Sequence, residues 1–163
     1  MSDLSFRELL GQPDIELVRQ LARDSGGFSP REVDLAAELV EERLARGLEA
    51  SGYHFIFAQW GPGVPALGYV CYGPIPLTRS SWDLYWIAVA KGTQRRSVGR
   101  RLLAEAERRA GGLGATRFYI DTSGRADYTP TRAFYEAAGY RAAAALPDFY
   151  APGDAKMVFA KAL

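Results

Sequence analysis

The stretch Gln94-Arg95-Arg96-Ser97-Val98-Gly99-Arg100-Arg101-Leu102-Leu103 follows an apolar run, Leu84 to Ala90, and opens a patterned helix. A strand, a short loop and a helix N-terminus in that order make an anion site. The first N–H groups of a helix lack an intrahelical partner and lie at the positive end of its dipole. Phosphate suits such a site best, and Gly99 removes a side chain where it would approach the backbone. Two common phosphate loops are excluded. No Gly-Lys-Ser or Gly-Lys-Thr occurs, and the dinucleotide glycine triplet is missing from a strand that lies late in the chain. Two aspartates sit at strand ends, Asp83 at the head of the apolar run and Asp121 closing Arg117–Asp121. His54 is the only histidine and Cys71 the only cysteine. They have no metal-ligand spacing. Cys71 lies between Val70 and Tyr72 with no basic neighbour in sequence to activate it, so it reads as core.

The elements that must position these residues follow from pattern. Leu4 to Leu9 reads as a short first strand. Gln12-Pro13-Asp14 starts a helix with proline near its first position, and Gly26-Gly27 ends it. Ser29-Pro30-Arg31-Glu32 is a capping box, with Phe28 and Val33 as its hydrophobic staple. The stripe Val33, Ala36, Ala37, Val40, Leu44 predicts a packed helix stopping at Gly47. Tyr53–Ala58 and Ala66–Tyr72, joined through Gly61-Pro62-Gly63, predict a hairpin. Trp82–Ala90 is a strand whose near-continuous apolarity suggests a central position buried on both faces. A helix from Ser97 to Ala110 follows, then a strand at Arg117–Asp121. Thr129 is expected to cap a short helix that Pro130 enters and Gly139 ends. Arg141–Leu146 must be a strand on topology although its four alanines favour one poorly, and Met157–Phe159 is the last strand. By this order the chain is α/β or α+β, a mixed sheet with helices on both faces.

At 163 residues the chain reads as a single domain, 1–163, with a sizeable core. A net charge of +1 supplies no field that would favour nucleic acid or a membrane, which argues against DNA binding by the arginine-rich helix. A lone cysteine suits a reducing cytoplasm. The first residues carry no signal-peptide pattern, and no apolar run reaches membrane-spanning length.

Two stretches together resemble the GNAT superfamily, the acetyl-CoA-dependent N-acetyltransferases. Gln94-Arg95-Arg96-Ser97-Val98-Gly99 resembles motif A, Gln/Arg-x-x-Gly-x-Gly/Ala, with the last glycine kept as Gly99 and the first replaced by Ser97. Ile87-Ala88-Val89 resembles the end of that family's fourth strand. Ala133-Phe134-Tyr135-Glu136-Ala137-Ala138-Gly139-Tyr140 resembles its aromatic helix end at the right spacing. The resemblance is good from Tyr53 to the C-terminus and looser before it. It implies a GNAT fold: a mixed, mostly antiparallel sheet of about six or seven strands, about four helices on its two faces, and splayed fourth and fifth strands with acetyl-CoA in the gap.

Acetyl transfer to an amine needs held phosphates, a polarised thioester carbonyl, a deprotonated amine and a stabilised thiolate. The backbone N–H groups from Arg95 to Arg100, through Arg96, Ser97, Val98 and Gly99, are assigned to the phosphates. Gln94 and the arginines are candidates for side-chain contacts. The resemblance gives the backbone of Ile87, Ala88 and Val89 to the carbonyl and the pantetheine amides. It makes Tyr135 the residue facing the CoA sulfur. Asp83 matches the position of the catalytic glutamate in histone-type members, and Asp121 is the other candidate base. Phe28, Tyr85, Tyr128 and Tyr150 are expected to wall the acceptor pocket, with Tyr128 and Phe149-Tyr150 in loops. The implied function is an N-acetyltransferase acting on the primary amine of a small molecule or amino acid, as a monomer or homodimer, with acetyl-CoA as cosubstrate and no metal. The alternative is a non-catalytic acyl-CoA-binding regulatory domain of the same fold.

Overall fold

The structure, a computed structural model, describes residues 3–163, with the side chains of residues 94–96 outside that description. Among the described residues the elements run β1 (Ser5–Arg7), α1 (Asp14–Ser25), α2 (Pro30–Ser51), β2 (His54–Gln59), β3 (Gly68–Pro74), β4 (Ser81–Val89), a 3-10 segment (Lys91–Arg96), α3 (Val98–Gly112), β5 (Arg117–Ser123), a 3-10 turn (Ala126–Tyr128), α4 (Thr129–Ala137), β6 (Arg141–Ala151) and β7 (Asp154–Ala162). The strands form one seven-stranded sheet in the order β1-β2-β3-β4-β5-β7-β6. The β4–β5 pair is parallel, and the β1–β2, β2–β3, β5–β7 and β6–β7 pairs are antiparallel. The chain divides into two compact units, Met1–Gly73 with Tyr85–Arg109 and Pro74–Leu84 with Ala110–Leu163.

In the first unit the β2–β3 hairpin pairs Phe55 with Cys71 and Phe57 with Tyr69. Alternation puts these four on one face, where they meet Val18, Leu21, Val33, Ala36 and Val40 of α1 and α2 in a single buried cluster. Each fully buried side chain of this size stabilises by roughly 1.5–3 kcal/mol. The start of α2 is fixed locally. Glu32 N donates to Ser29 Oγ at 3.3 Å and Ser29 N to Glu32 Oε2 at 2.7 Å, the reciprocal pair the sequence spells out. Gly47 breaks the helix as read (φ 84°, ψ 171°), but the chain resumes a further turn to Ser51 and caps at Gly52. Arg7 ties β1 to α1 by a fork onto Asp14, at 3.0 and 2.9 Å. Gly73 is placed where β3 passes the end of α2: a Cβ there would lie 1.9 Å from the carbonyl oxygen of Gly52.

In the second unit β4 pairs with β5 from Ser81↔Arg117 to Leu84↔Ile120, and β5 pairs with β7 from Arg117↔Ala162 to Ser123↔Lys156. Among the described residues the β4–β5 ladder extends no further, while β4 runs on to Val89 and β5 to Ser123. Register and alternation sort the side chains. Phe118, Ile120 and Phe159 face one side, buried, and Tyr135 of α4 packs there with ring centroids 6.2 Å from Phe159 and 6.1 Å from Tyr140. Asp83, Tyr119, Asp121, Lys156 and Val158 face the other.

Two expectations are corrected here. Thr129 is the first residue of α4 rather than its cap; its hydroxyl accepts from Arg132 Nη2 at 3.1 Å, and Arg132 is held in turn by the carbonyls of Ser123 and Arg125. Phe149 and Tyr150 lie in strand β6, which continues past Leu146 to Ala151. Its pairing with β7 is irregular between Leu146 and Ala151, and Asp148 takes a left-handed φ of 55° there while accepting from Gly153 N at 2.8 Å. The alanines lose nothing by poor strand propensity, because β6 is exposed along its whole length and is held by its ladder to β7.

Candidate active site

The helix start expected to bind an anion lies in the first unit. The 3-10 segment delivers the chain to Ser97 at φ 59°, ψ 16°, and α3 begins at Val98. Arg101 N donates to Ser97 O at 3.0 Å. That bond closes the first helical turn, which leaves the N–H groups of Val98, Gly99 and Arg100 without an intrahelical acceptor. Unpaired N–H groups at a helix start, at the positive end of its dipole, are donors of the kind an anion can use. The side-chain contacts expected of Gln94, Arg95 and Arg96 lie outside the described residues.

The left-handed φ also explains the motif. Position 97 is a glycine in the family pattern because a Cβ is disfavoured there; serine costs about 1 kcal/mol. Ser97→Gly should therefore stabilise the chain, raising Tm by about 2–4 °C, with CoA affinity retained or improved. Thermal melts and calorimetry check this, and a lower Tm would show that the hydroxyl contributes more than the backbone loses.

Upstream, the end of β4 presents main chain. Ala90 N donates to Leu67 O at 2.8 Å, so the even-numbered peptide groups face β3. By alternation the N–H and C=O of Ile87 point to the opposite edge of β4, beyond the last described β4–β5 pair. Tyr85 and Trp86 pack against the same core cluster. Consecutive residues of a regular strand face opposite ways, so the strand is irregular at this point. Phe28 meets Trp86 edge-on with centroids 4.9 Å apart, and Tyr53 meets Tyr85 at 5.3 Å.

The second unit holds a pocket of about 390 Å³ lined by Ile75, Thr78, Ser81, Asp83, Tyr119, Asp121, Lys156 and Val158. The parallel register brings both aspartates into it. Lys156 Nζ pairs with Asp121 Oδ2 at 2.9 Å and stands 4.6 Å from the centre of the Phe149 ring. The Asp83 carboxylate has neither hydrogen bond nor ion pair among the described residues. Burial, assisted by the charge of Asp121 and opposed by Lys156, pushes its carboxyl up to about 6. A carboxylate tuned to that range is suited to proton transfer near neutral pH. Tyr150 lies close enough to Asp121 and Lys156 to feel their charge. Tyr128 ends the 3-10 turn before α4, with the Arg125 guanidinium 5.5 Å from its ring centre. Of the expected acceptor wall, Phe28 and Tyr85 belong to the first unit, and Tyr128 and Tyr150 to the second.

Tyr135 is buried, 6% exposed, and burial raises its hydroxyl well above the ordinary tyrosine value. That hydroxyl has no hydrogen-bond partner among the described residues. It stands on the opposite face of the β5–β7 sheet from Asp83 and Asp121. Lys156, Tyr119 and Trp86 were missed by sequence reasoning. The one signal for Lys156 was rarity: it is one of three lysines in an arginine-dominated chain. Cys71 is fully buried and its thiol is pushed up by burial, as its sequence neighbours suggested. Among the described residues no helix is long and apolar enough to cross a membrane.

A mixed, mostly antiparallel seven-stranded sheet with a parallel β4–β5 pair is the architecture of the acyl-CoA-dependent acetyltransferases. The family model for the acetyltransferase (GNAT) family matches residues 16–140, and the chain belongs to that family. A GNAT-family chain from Desulfovibrio desulfuricans is 43% identical, covers 98% of this chain and 99% of its own, and superposes with a TM-score of 0.93. An aminoglycoside 6'-N-acetyltransferase complexed with coenzyme A shares the fold at 19% identity, with 97% and 96% covered and a TM-score of 0.76. The ribosomal-protein-S18-alanine N-acetyltransferase of Escherichia coli does so at 16%, with 98% and 94% covered and a TM-score of 0.73. No curated protein matches the chain.

Proposed function

We propose that this chain transfers an acetyl group from acetyl-CoA to the primary amine of a small molecule, by direct attack of the amine. The observation that carries the reading is Asp83: a half-buried, unpartnered carboxylate in a pocket, held up to about 6 by its surroundings. Acetyl-CoA supplies an acyl group activated as a thioester. The chain's residues do the rest. The N–H groups of Val98, Gly99 and Arg100 hold the diphosphate, with the helix dipole favouring its charge. The Ile87 N–H is oriented to donate to the thioester oxygen as negative charge grows on it. Asp83 accepts the proton that the attacking nitrogen loses and passes it to water. The Tyr135 hydroxyl, with no partner of its own, donates to the departing sulfur.

The two faces of the second unit's sheet divide this work. Asp83 is on one and Tyr135 on the other. An amine arriving on the first adds to the thioester carbonyl, and the tetrahedral intermediate then expels the thiolate, which the Tyr135 hydroxyl meets on the second. The binding half is tested by Gly99→Glu, which puts bulk and negative charge where the diphosphate belongs. CoA affinity should fall at least about tenfold, roughly 1.4 kcal/mol, with the melting temperature kept; unchanged affinity by calorimetry removes the assignment. The catalytic half is tested by thiol release from acetyl-CoA with a panel of primary amines. Tight CoA binding without release for any amine would leave a binding domain, not an enzyme.

A further inference from the structure

The pocket of the second unit already holds one ammonium, the chain's own. Lys156 Nζ is gripped by a carboxylate oxygen of Asp121 at 2.9 Å and by the face of Phe149 at 4.6 Å. A carboxylate and an aromatic face are the two surfaces that best replace water around a primary ammonium. Asp121 is thereby paired, its charge still felt by Asp83. Asp83, on the adjacent parallel strand, is not, so the lining carries one uncompensated negative charge. Every other lining group fails to offset it. Ile75, Ser81, Val158 and the Tyr119 ring are uncharged, and the Thr78 hydroxyl is spent donating to Ile75 O at 2.7 Å. Among the described residues Lys156 is the sole cation of the lining. A carboxylate brought in on an acceptor would find it occupied and would meet Asp83 instead.

We propose that Lys156 sets the acceptor class: by occupying Asp121 it leaves Asp83 as the single charge to be matched, so the pocket takes a monocationic primary amine with no carboxylate beside its amino group. This rests on the acetyl-transfer reading above and narrows its substrate. α-Amino acids are disfavoured by their carboxylate. Diamines gain nothing from their second ammonium, because its partner is taken. In the reaction the acceptor nitrogen bonds to the acetyl carbon and the carbon–sulfur bond breaks. The nitrogen's proton leaves through Asp83 to water, and the thiolate takes one proton in return.

The test uses three probes on the CoA-loaded chain: tyramine, tyrosine (the same ring with an added carboxylate) and putrescine, a dication. Binding is read by calorimetry and transfer by thiol release. Tyramine should bind at least about tenfold more tightly than tyrosine, and putrescine no better than tyramine. In Lys156→Met the freed Asp121 should move the putrescine-to-tyramine ratio by about tenfold toward the diamine. Lys156→Arg should keep the parent's order. The acid limb of the pH–rate profile should also rise in Lys156→Met, because the ammonium that favours ionised Asp83 is gone; a purely structural role would not move it. Equal binding of tyrosine and tyramine, no binding of any probe, or an unchanged diamine preference in a folded Lys156→Met overturns the proposal. If Lys156→Met does not fold, the parent's tyramine-to-tyrosine ratio and the order kept by Lys156→Arg decide. Selective binding without thiol release would defeat the acetyl-transfer reading and leave the charge preference standing. Unselective release would do the reverse.

Discussion

Turnover of Tyr135→Phe is expected to fall by about 10²–10⁴-fold, the usual size of a general-acid contribution. The ring and its contacts with Phe134, Tyr140 and Phe159 are kept, and only the hydroxyl goes. That hydroxyl has no hydrogen-bond partner among the described residues, so no group in the fold is left unsatisfied by its loss. Melting temperature should match or slightly exceed the parent's. Acetyl-CoA binding should change little, since the sulfur of a thioester carries little charge before the bond breaks. Stopped turnover with stability and binding intact supports the assignment. Turnover within about twofold of the parent sinks it, and the thiolate is then protonated by water.

Asp83→Asn is the second large effect. The parent's kcat/KM should show an acid limb with an apparent pKa near 6, set by the burial of Asp83 and its neighbour Asp121. Above it the carboxylate can accept a proton, and below it cannot. Asparagine should abolish the limb and lower kcat/KM by about 10²-fold at neutral pH, with partial recovery at high pH where more free amine exists. Asp121→Asn should behave differently. It removes a like charge and releases Lys156, and both changes favour ionised Asp83, so the limb should move to lower pH without disappearing. The stability signs run the other way. A carboxyl whose folded pKa is raised binds its proton more tightly folded than unfolded, so it weakens the fold as pH rises from about 4 through 6. Asp83→Asn should therefore melt no lower than the parent at neutral pH. A limb that survives in Asp83→Asn and vanishes in Asp121→Asn transfers the role.

Local chemistry was legible in the sequence and cross-strand geometry was not. The box at Ser29 and Glu32 spans four residues and could be read directly, as could the helix after Val89, because the signals and the structure they specify are neighbours. Ser97 could be seen to replace a glycine. That it sits in the left-handed region could not, because serine is a residue whose type argues against that conformation. Asp83 and Asp121 were found one by one. What joins them to Lys156 is the register of β4, β5 and β7, a relation among residues 38 and 35 positions apart along the chain that no local pattern encodes. The same reason hid the true setting of Phe149 and Tyr150. Pro147 and Asp148 look like the start of a loop, and only pairing with β7 carries the strand past them. Thr129 failed otherwise: Thr-Pro is a sound helix-entry signal, but the turn at Ala126–Tyr128 feeds the helix one residue earlier.

Gly73 bears on how a mutational library of this chain would read. A methyl group there would need to occupy the space of the Gly52 carbonyl oxygen, 1.9 Å away, and backbone cannot step aside as a flexible side chain can. Every substitution should be purged under selection for folded protein, as completely as any at the catalytic positions. Its intolerance is of another kind. Selected for abundance alone, Gly73 variants should still be lost, whereas Tyr135→Phe and Asp83→Asn should survive. A library scored both ways would separate the residue that lets two segments cross from the residues that handle protons, where a list of invariant positions would merge them.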